Sequence, residues 1–262
     1  MSRAATLAGG VRPWPFGVVL TTVLTIVMNA LANALPIGGR DTGEISAMYP
    51  TVITPSGYVF SVWLVIYLGL IGYAIWQALP ARRDHPRAEA IAVPVIVANL
   101  ANAAWILAWH HLWIGTSLLL MLVLLGALIT VYLRLRRPGR PARDRGERLW
   151  ALGTFSVYLG WITVATVANV SVYLMDVGWD GGFLPATVWG AATLVVATAL
   201  GVRLLLWQRD IAYAAVLVWA FVGIVVAQSQ YWLVAGTAVV GIVALLFTGA
   251  LALRQPGYTE AR

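Results

Sequence analysis

The sequence predicts an all-α fold: a polytopic membrane helix bundle of about eight transmembrane helices, with both termini cytoplasmic. Three observations carry that prediction. Apolar residues make up 61% of the 262-residue chain and charged residues 10%, against roughly half and a quarter in an average soluble domain. The apolar residues fall into runs of about 20, the length that crosses a bilayer core as a helix. The arginines lie almost entirely between alternate runs, on one side.

Pro, Gly and charged residues punctuate the runs. The first four begin near Phe16, Gly57, Ala90 and Ile114 and end near Leu35, Leu79, Trp109 and Leu135. Four more run from about Leu149 to Met175, Leu184 to Trp207, Ile211 to Ala227 and Trp232 to Leu253. The short links His110 to Trp113 and Gln228 to Tyr231 make their flanking helices antiparallel neighbours. The link from Gly38 to Ser56 is long, external and nearly neutral, as either a covering loop or a solvated connector would be.

Assigning alternate links to opposite sides gathers Arg3, Arg12, Arg82, Arg83, Arg87, the run Arg134 to Arg148, Arg203, Arg209, Arg254 and Arg262 on one side and leaves only Arg40 on the other. The positive-inside rule makes the Arg-rich side cytoplasmic. Residues 1–15 and 254–262 then read as cytoplasmic tails of a multi-pass protein of the cell membrane. Arg12, the apolar run after it and Ala30-Leu31-Ala32 also have the pattern of a signal peptide. Asn29 and Asn33, one turn apart, favour retention of this run as a span, because an amide in lipid needs a partner on another helix.

Composition removes several chemistries. The chain has no Cys, and all 17 of its basic residues are Arg. Without Lys there is no retinal or pyridoxal Schiff base and no phosphate-loop lysine; without Cys there is no thiolate metal site, iron–sulfur cluster or disulfide. The +7 net charge lies in short loops, where it orients the chain against the bilayer, and no nucleic acid is expected as a partner. All ten acidic residues fall in loops, tails or segment ends, which argues against an ion-coupled transporter. His110 and His111 at an external helix end, and His85 in a cytoplasmic loop, read as interfacial histidines rather than metal ligands.

The membrane interior is polar only through uncharged groups. All five Asn residues, Asn29, Asn33, Asn99, Asn102 and Asn169, lie within spans and should face another helix or a polar ligand. Of 13 tryptophans, Trp14, Trp76, Trp113, Trp150, Trp179, Trp207 and Trp232 lie near segment ends, as in an aromatic belt. Trp63, Trp105, Trp161 and Trp219 lie deeper. Helical spacing stacks Phe60, Trp63 and Tyr67 on one face of the second span. Asn99, Asn102, Trp105 and Trp109 share a face of the third, and Trp161, Ala165 and Asn169 a face of the fifth. Such stripes serve helix packing as readily as they line a cavity for a planar apolar ligand.

At these residues the chain resembles the tryptophan-rich sensory protein family, also called the translocator protein family (TspO/MBR). Tyr158-Leu159-Gly160-Trp161-Ile162-Thr163-Val164-Ala165-Thr166-Val167-Ala168-Asn169 follows the family pattern Y-L-x-W-x-x-x-A-x-x-x-N without a gap. Asn102 to Trp105 resembles its N-x-x-W element, and Pro55, Trp63 and Tyr67 its P…W-x-x-x-Y element. Ser61 stands where the family usually has Pro, and members typically end after five helices. The resemblance divides the chain into a five-helix bundle at 16–175 and three additional transmembrane helices at 176–253, as in a longer branch of the family.

The resemblance implies an outer-half pocket under the first external loop that binds tetrapyrroles such as porphyrin or haem, or other planar apolar molecules. Trp63 and Trp161 would be its stacking walls, with Asn102, Trp105, Ala165 and Asn169 completing it; the residue stripes add Phe60 and Tyr67. No cofactor is required, since porphyrin or haem would be a ligand, and the expected partners are the lipid bilayer and that ligand. The function so read is sensor or receptor, with a passive carrier of apolar metabolites as the alternative. A porphyrin-degrading enzyme is less well supported, because no acid, base or metal ligand stands in the membrane. The residues assign no oligomeric state.

Overall fold

The computed structural model describes residues 13–35, 37–82, 85–137 and 142–254. Arg3, Arg12, Arg83 and Arg262, with most of both tails, lie outside the described residues. The chain forms α1 (Trp14–Ala34), a short α2 (Thr42–Ala47), α3 (Val62–Ala78), α4 (Pro86–His110), α5 (Ile114–Leu135), α6 (Thr154–Asp176), α7 (Ala186–Gln208), α8 (Ile211–Ala227) and α9 (Trp232–Arg254). A 3-10 turn at Gly57–Ser61 leads into α3, and a π-helical turn at Glu147–Gly153 leads into α6. No strand occurs among the described residues.

Local chemistry sets the helix starts. Proline occupies the first turn of α1 and of α4, where its missing N–H costs no helical hydrogen bond. Asp210 caps α8 by accepting from Tyr213 N at 3.2 Å. Between α7 and α8, Arg209 takes a left-handed φ of 51°, which reverses the chain within two residues.

Among the described residues seven helices are long and apolar enough to cross a membrane, α3 being counted with the Gly57–Ser61 turn that leads into it, one fewer than the sequence reading counts. The exception is α8, a shorter apolar helix of 17 residues. It nevertheless links groups at both faces. At the Arg-rich end, Asp210 pairs with Arg136 Nη2 at 3.0 Å and accepts from Ser156 Oγ at 2.8 Å. At the other end, Gln228 Nε2 donates to Thr54 O at 2.7 Å and Thr51 O at 3.2 Å.

In the bundle, α4 packs between α1 and α5, α6 lies against α5, and α8 joins α6 to α9, which pairs with α7. One apolar core runs through all of these, from Val18 and Leu124 to Phe221 and Leu245. The asparagines connect helices within it. Asn29 Nδ2 donates to Asn102 Oδ1 at 2.7 Å, and Asn99 Nδ2 reaches Thr22 Oγ1 at 3.0 Å, binding α1 to α4. Asn169 Oδ1 accepts from Ser117 Oγ at 3.3 Å, between α6 and α5.

The Arg-rich end holds a buried carboxylate. Glu147 is fully buried and accepts from Arg87 Nη1 at 2.7 Å and from the Arg143 N–H at 2.6 Å. Beside it lies His85, also buried, with Nε2 3.9 Å from Glu147 Oε1 and its ring edge-on to Trp76. Two expectations need correction here. His85, in the link that precedes α4, is buried rather than interfacial, and Trp76 is 5% exposed, packed on Tyr73 under the Arg82 guanidinium rather than set in an interfacial belt. Trp113, Trp179, Trp207 and Trp232 do stand exposed at helix ends.

Candidate functional site: an aromatic partition under the first external link

The Gly38–Ser56 link is held down from several sides. Asp41 Oδ1 accepts from Gly43 N and Glu44 N at 2.7 and 2.8 Å, and Glu44 Oε2 accepts from Asp41 N at 2.8 Å, a reciprocal cap that fixes the start of α2. Thr42 ties α2 to its neighbours. Its Oγ1 lies 3.1 Å from both His110 Nε2 and Asn33 Oδ1, and its carbonyl accepts from Trp109 Nε1 at 3.3 Å. Thus α1 and the end of α4 both anchor the cover.

The far half of the link rests on α8. Ser56 N donates to Gly223 O at 3.1 Å, and Trp219 Nε1 donates to Val59 O at 3.1 Å. A Cβ at Gly223 would lie 2.1 Å from Val59 Cγ2, so only glycine allows this approach. The helices beyond Met175 therefore position the entry to α3, and with it Phe60 and Trp63. The link's docking on α8 leaves no sequence signature. The cover itself does: Asp41-x-x-Glu44 is a capping-box pattern that marks a helix starting at Thr42.

Beneath the cover the predicted aromatic residues do meet. Trp63 stacks on Trp105 with centroids 6.1 Å apart and planes at 29°, and on Tyr67 at 5.5 Å and 18°. Trp161 meets Trp63 edge-on, at 6.1 Å and 82°, and Phe60 likewise at 5.7 Å. The rings are in mutual contact, and Trp63 and Trp161 do not form two parallel walls with a slot between them.

Two spaces adjoin this cluster. The inner one, about 40 Å³, is bounded by Phe60, Trp63, Trp105, Trp109, Trp161, Ala165 and Asn169, with Thr42, Ser46 and Pro55 above. It has room for about one water. The outer one, about 680 Å³, lies between α1, α2 and α3 and is lined by Asn29, Asn33, Asp41, Thr42, Glu44, Phe60, Trp63 and Tyr67, among others. That volume is in the range of small-molecule sites. Thr42, Phe60 and Trp63 border both spaces, and the two rings form the partition.

Of the eight residues expected at a site, Phe60, Trp63 and Tyr67 face the outer cavity, and Trp105, Trp161, Ala165 and Asn169 the inner one. Asn102 borders neither. Its amide is used within the bundle, accepting from Asn29 and donating to Tyr158 Oη at 2.8 Å. The amides on the outer cavity are instead Asn29 and Asn33, which the spacing of the first span marked only as helix contacts. The buried indole Nε1 groups of Trp105 and Trp161 have no hydrogen-bond partner among the described residues, an uncommon state for a buried donor.

No curated protein and no solved structure matches the chain. The profile of the TSPO-like protein family matches residues 16–251, a span that takes in α7, α8 and α9 as well as the first five long helices. With that match over most of its length, this multi-pass, all-helical chain belongs to the TSPO-like protein family.

Proposed function

We propose that the protein is a sensor or receptor of the cell membrane that binds a planar hydrophobic ligand, of the porphyrin or haem type, in the outer cavity. The observation that carries this reading is the cavity of about 680 Å³ walled by Phe60, Trp63 and Tyr67. Flat π-faces and apolar burial supply affinity. Asn29 and Asn33 supply orientation at the α1 side. The inner space is too small for a ring system, so the ligand lies in the outer cavity against Trp63 and Tyr67, which stack on each other. Occupancy reaches the aqueous side through α2, whose Thr42, Gly43 and Glu44 line the same cavity.

Binding and transport are separated by one experiment with the full chain. Protoporphyrin added to the protein in nanodiscs should quench tryptophan fluorescence saturably, and porphyrin-loaded proteoliposomes should release no more than protein-free vesicles. Protein-dependent release would overturn the sensor in favour of a passive carrier; quenching that never saturates would overturn binding itself.

A further inference from the structure

A third cavity lies outside the aromatic cluster, between α6 and α7. It measures about 280 Å³ and is lined by Thr163 and Val167 of α6 and by Trp189, Thr193, Val196 and Leu200 of α7, with two alanines between them. Both helices are membrane spans and the cavity faces sideways: Val196 is 60% and Leu200 42% exposed. The threonine hydroxyls are used on carbonyls of their own helices, Thr163 Oγ1 on Leu159 O and Thr193 Oγ1 on Gly190 O, each at 2.8 Å. The slot thus offers an occupant an apolar wall. Its outer end is closed by Trp189, whose Nε1 donates to Gly181 O at 3.0 Å.

The stripe of α7 that lines the slot continues toward the Arg-rich end. Val196, Leu200, Arg203 and Trp207 follow one another at intervals of four, three and four residues, one helical face. Arg203 is exposed on that face, with its guanidinium 3.9 Å above the Trp207 ring. Among the described residues no carboxylate forms an ion pair with it. Arg203 is six residues from the middle of α7, so its Cα is about 9 Å from the helix centre. A half-core is about 15 Å thick, and a long arginine side chain spans the remainder to reach the headgroups. A helix laid in the slot would have to bring a counter-charge to this depth, and no span of this chain carries an acidic residue away from its ends. A lipid phosphate supplies that charge.

We propose that the α6–α7 slot holds one acyl chain of an anionic phospholipid of the Arg-rich leaflet, with its phosphate on Arg203. The site is independent of the porphyrin reading. It shares no lining residue with the outer cavity.

The test is photocrosslinking of the full chain in nanodiscs, with phosphatidylglycerol or phosphatidylcholine probes carrying a mid-chain diazirine, mapped by mass spectrometry. The phosphatidylglycerol probe should label the 189–200 and 163–167 stretches several-fold more than the phosphatidylcholine probe. Arg203→Gln should bring the two probes level, whereas Arg203→Lys should preserve the preference and shows that substitution here does not unfold the bundle. Ala192→Leu, which fills the slot, should reduce labelling by both probes there and leave α1 and α9 labelling unchanged. Equal labelling of the wild type by both probes, or slot labelling indifferent to Ala192→Leu, would overturn the proposal.

Discussion

Trp63 and Trp105 stack with ring centroids 6.1 Å apart, and Tyr67 stacks on Trp63 in turn at 5.5 Å, so that Trp63 borders two unequal spaces. The one it shares with Trp105 holds about one water; the one it shares with Tyr67 is some seventeen times larger, about 680 against about 40 Å³. A ligand in the larger cavity packs against this aromatic column rather than breaking it. That distinction separates the effects of substitutions on stability from their effects on binding.

Gly223 lets α8 approach the start of α3, so its loss should reach the site from outside it. Gly223→Leu places a Cβ within 2.1 Å of Val59 Cγ2 and forces the Pro55–Val59 segment off α8, at a cost of roughly 1 to 3 kcal/mol. The expected outcome is a lower Tm together with weaker porphyrin binding. Gly236→Leu on α9, where a Cβ meets nothing within 4 Å, should change neither. Calorimetry and fluorescence titration of both variants check the pair.

Asn102 should behave as a structural residue. Asn102→Ala removes the hydrogen bonds to Asn29 and Tyr158, each worth about 0.6 to 2 kcal/mol between membrane helices. A fall in Tm with porphyrin affinity within about twofold, roughly 0.4 kcal/mol, is expected. A large affinity loss at unchanged Tm would make Asn102 a ligand contact instead.

Acid should destabilise the protein through His85. Burial holds this imidazole below its ordinary pKa; Glu147 opposes the shift, and Arg143 and Arg82 add to it. The folded chain therefore binds this proton less readily than the unfolded chain. Stability is unaffected well above the unfolded value of about 6.5 and falls as pH drops below it. Tm measured from about pH 8 to about pH 5 should decline less steeply for His85→Gln than for the wild type. Parallel curves would show that other groups carry the acid response.

Asp41 and Glu44 line the outer cavity and remain exposed, so ligand charge should matter. Protoporphyrin dimethyl ester should bind more tightly than the dicarboxylate at low salt, and the gap should close as ionic strength screens the surface charges. The reverse order would point to a cationic contact at the cavity.

How much of this the sequence holds differs by level. The long helices were legible because apolar runs and Arg-rich links alternate, as at the Ile211 start of α8, although α4 begins at Pro86, four residues before the run near Ala90. The gathering of Trp63, Trp105 and Trp161 was legible because helical spacing gives each ring a face. What spacing does not give is the ring plane: whether Trp161 faces Trp63 flat or edge-on depends on χ angles set by packing. With Trp161 and Trp63 in edge-on contact, the usable space is the outer cavity that Trp63 shares with Tyr67. Gly223, Trp219 and Gln228 were illegible as supports of the site, because their partners at Thr51 to Val59 lie more than 150 positions away. His85 and Trp76 were misplaced for a related reason, since Glu147 beside His85 and Gly146 against Trp76 come from a different link.

The most direct measurement is the protoporphyrin dissociation constant of the full chain in nanodiscs, for wild type, Trp63→Ala and Trp161→Ala. Ligand packed against Trp63 in the outer cavity, which Trp161 does not line, predicts a loss of about tenfold for Trp63→Ala, equivalent to about 1.4 kcal/mol, and a smaller loss for Trp161→Ala. Unchanged affinity in Trp63→Ala, or the larger loss falling on Trp161→Ala, would contradict that placement.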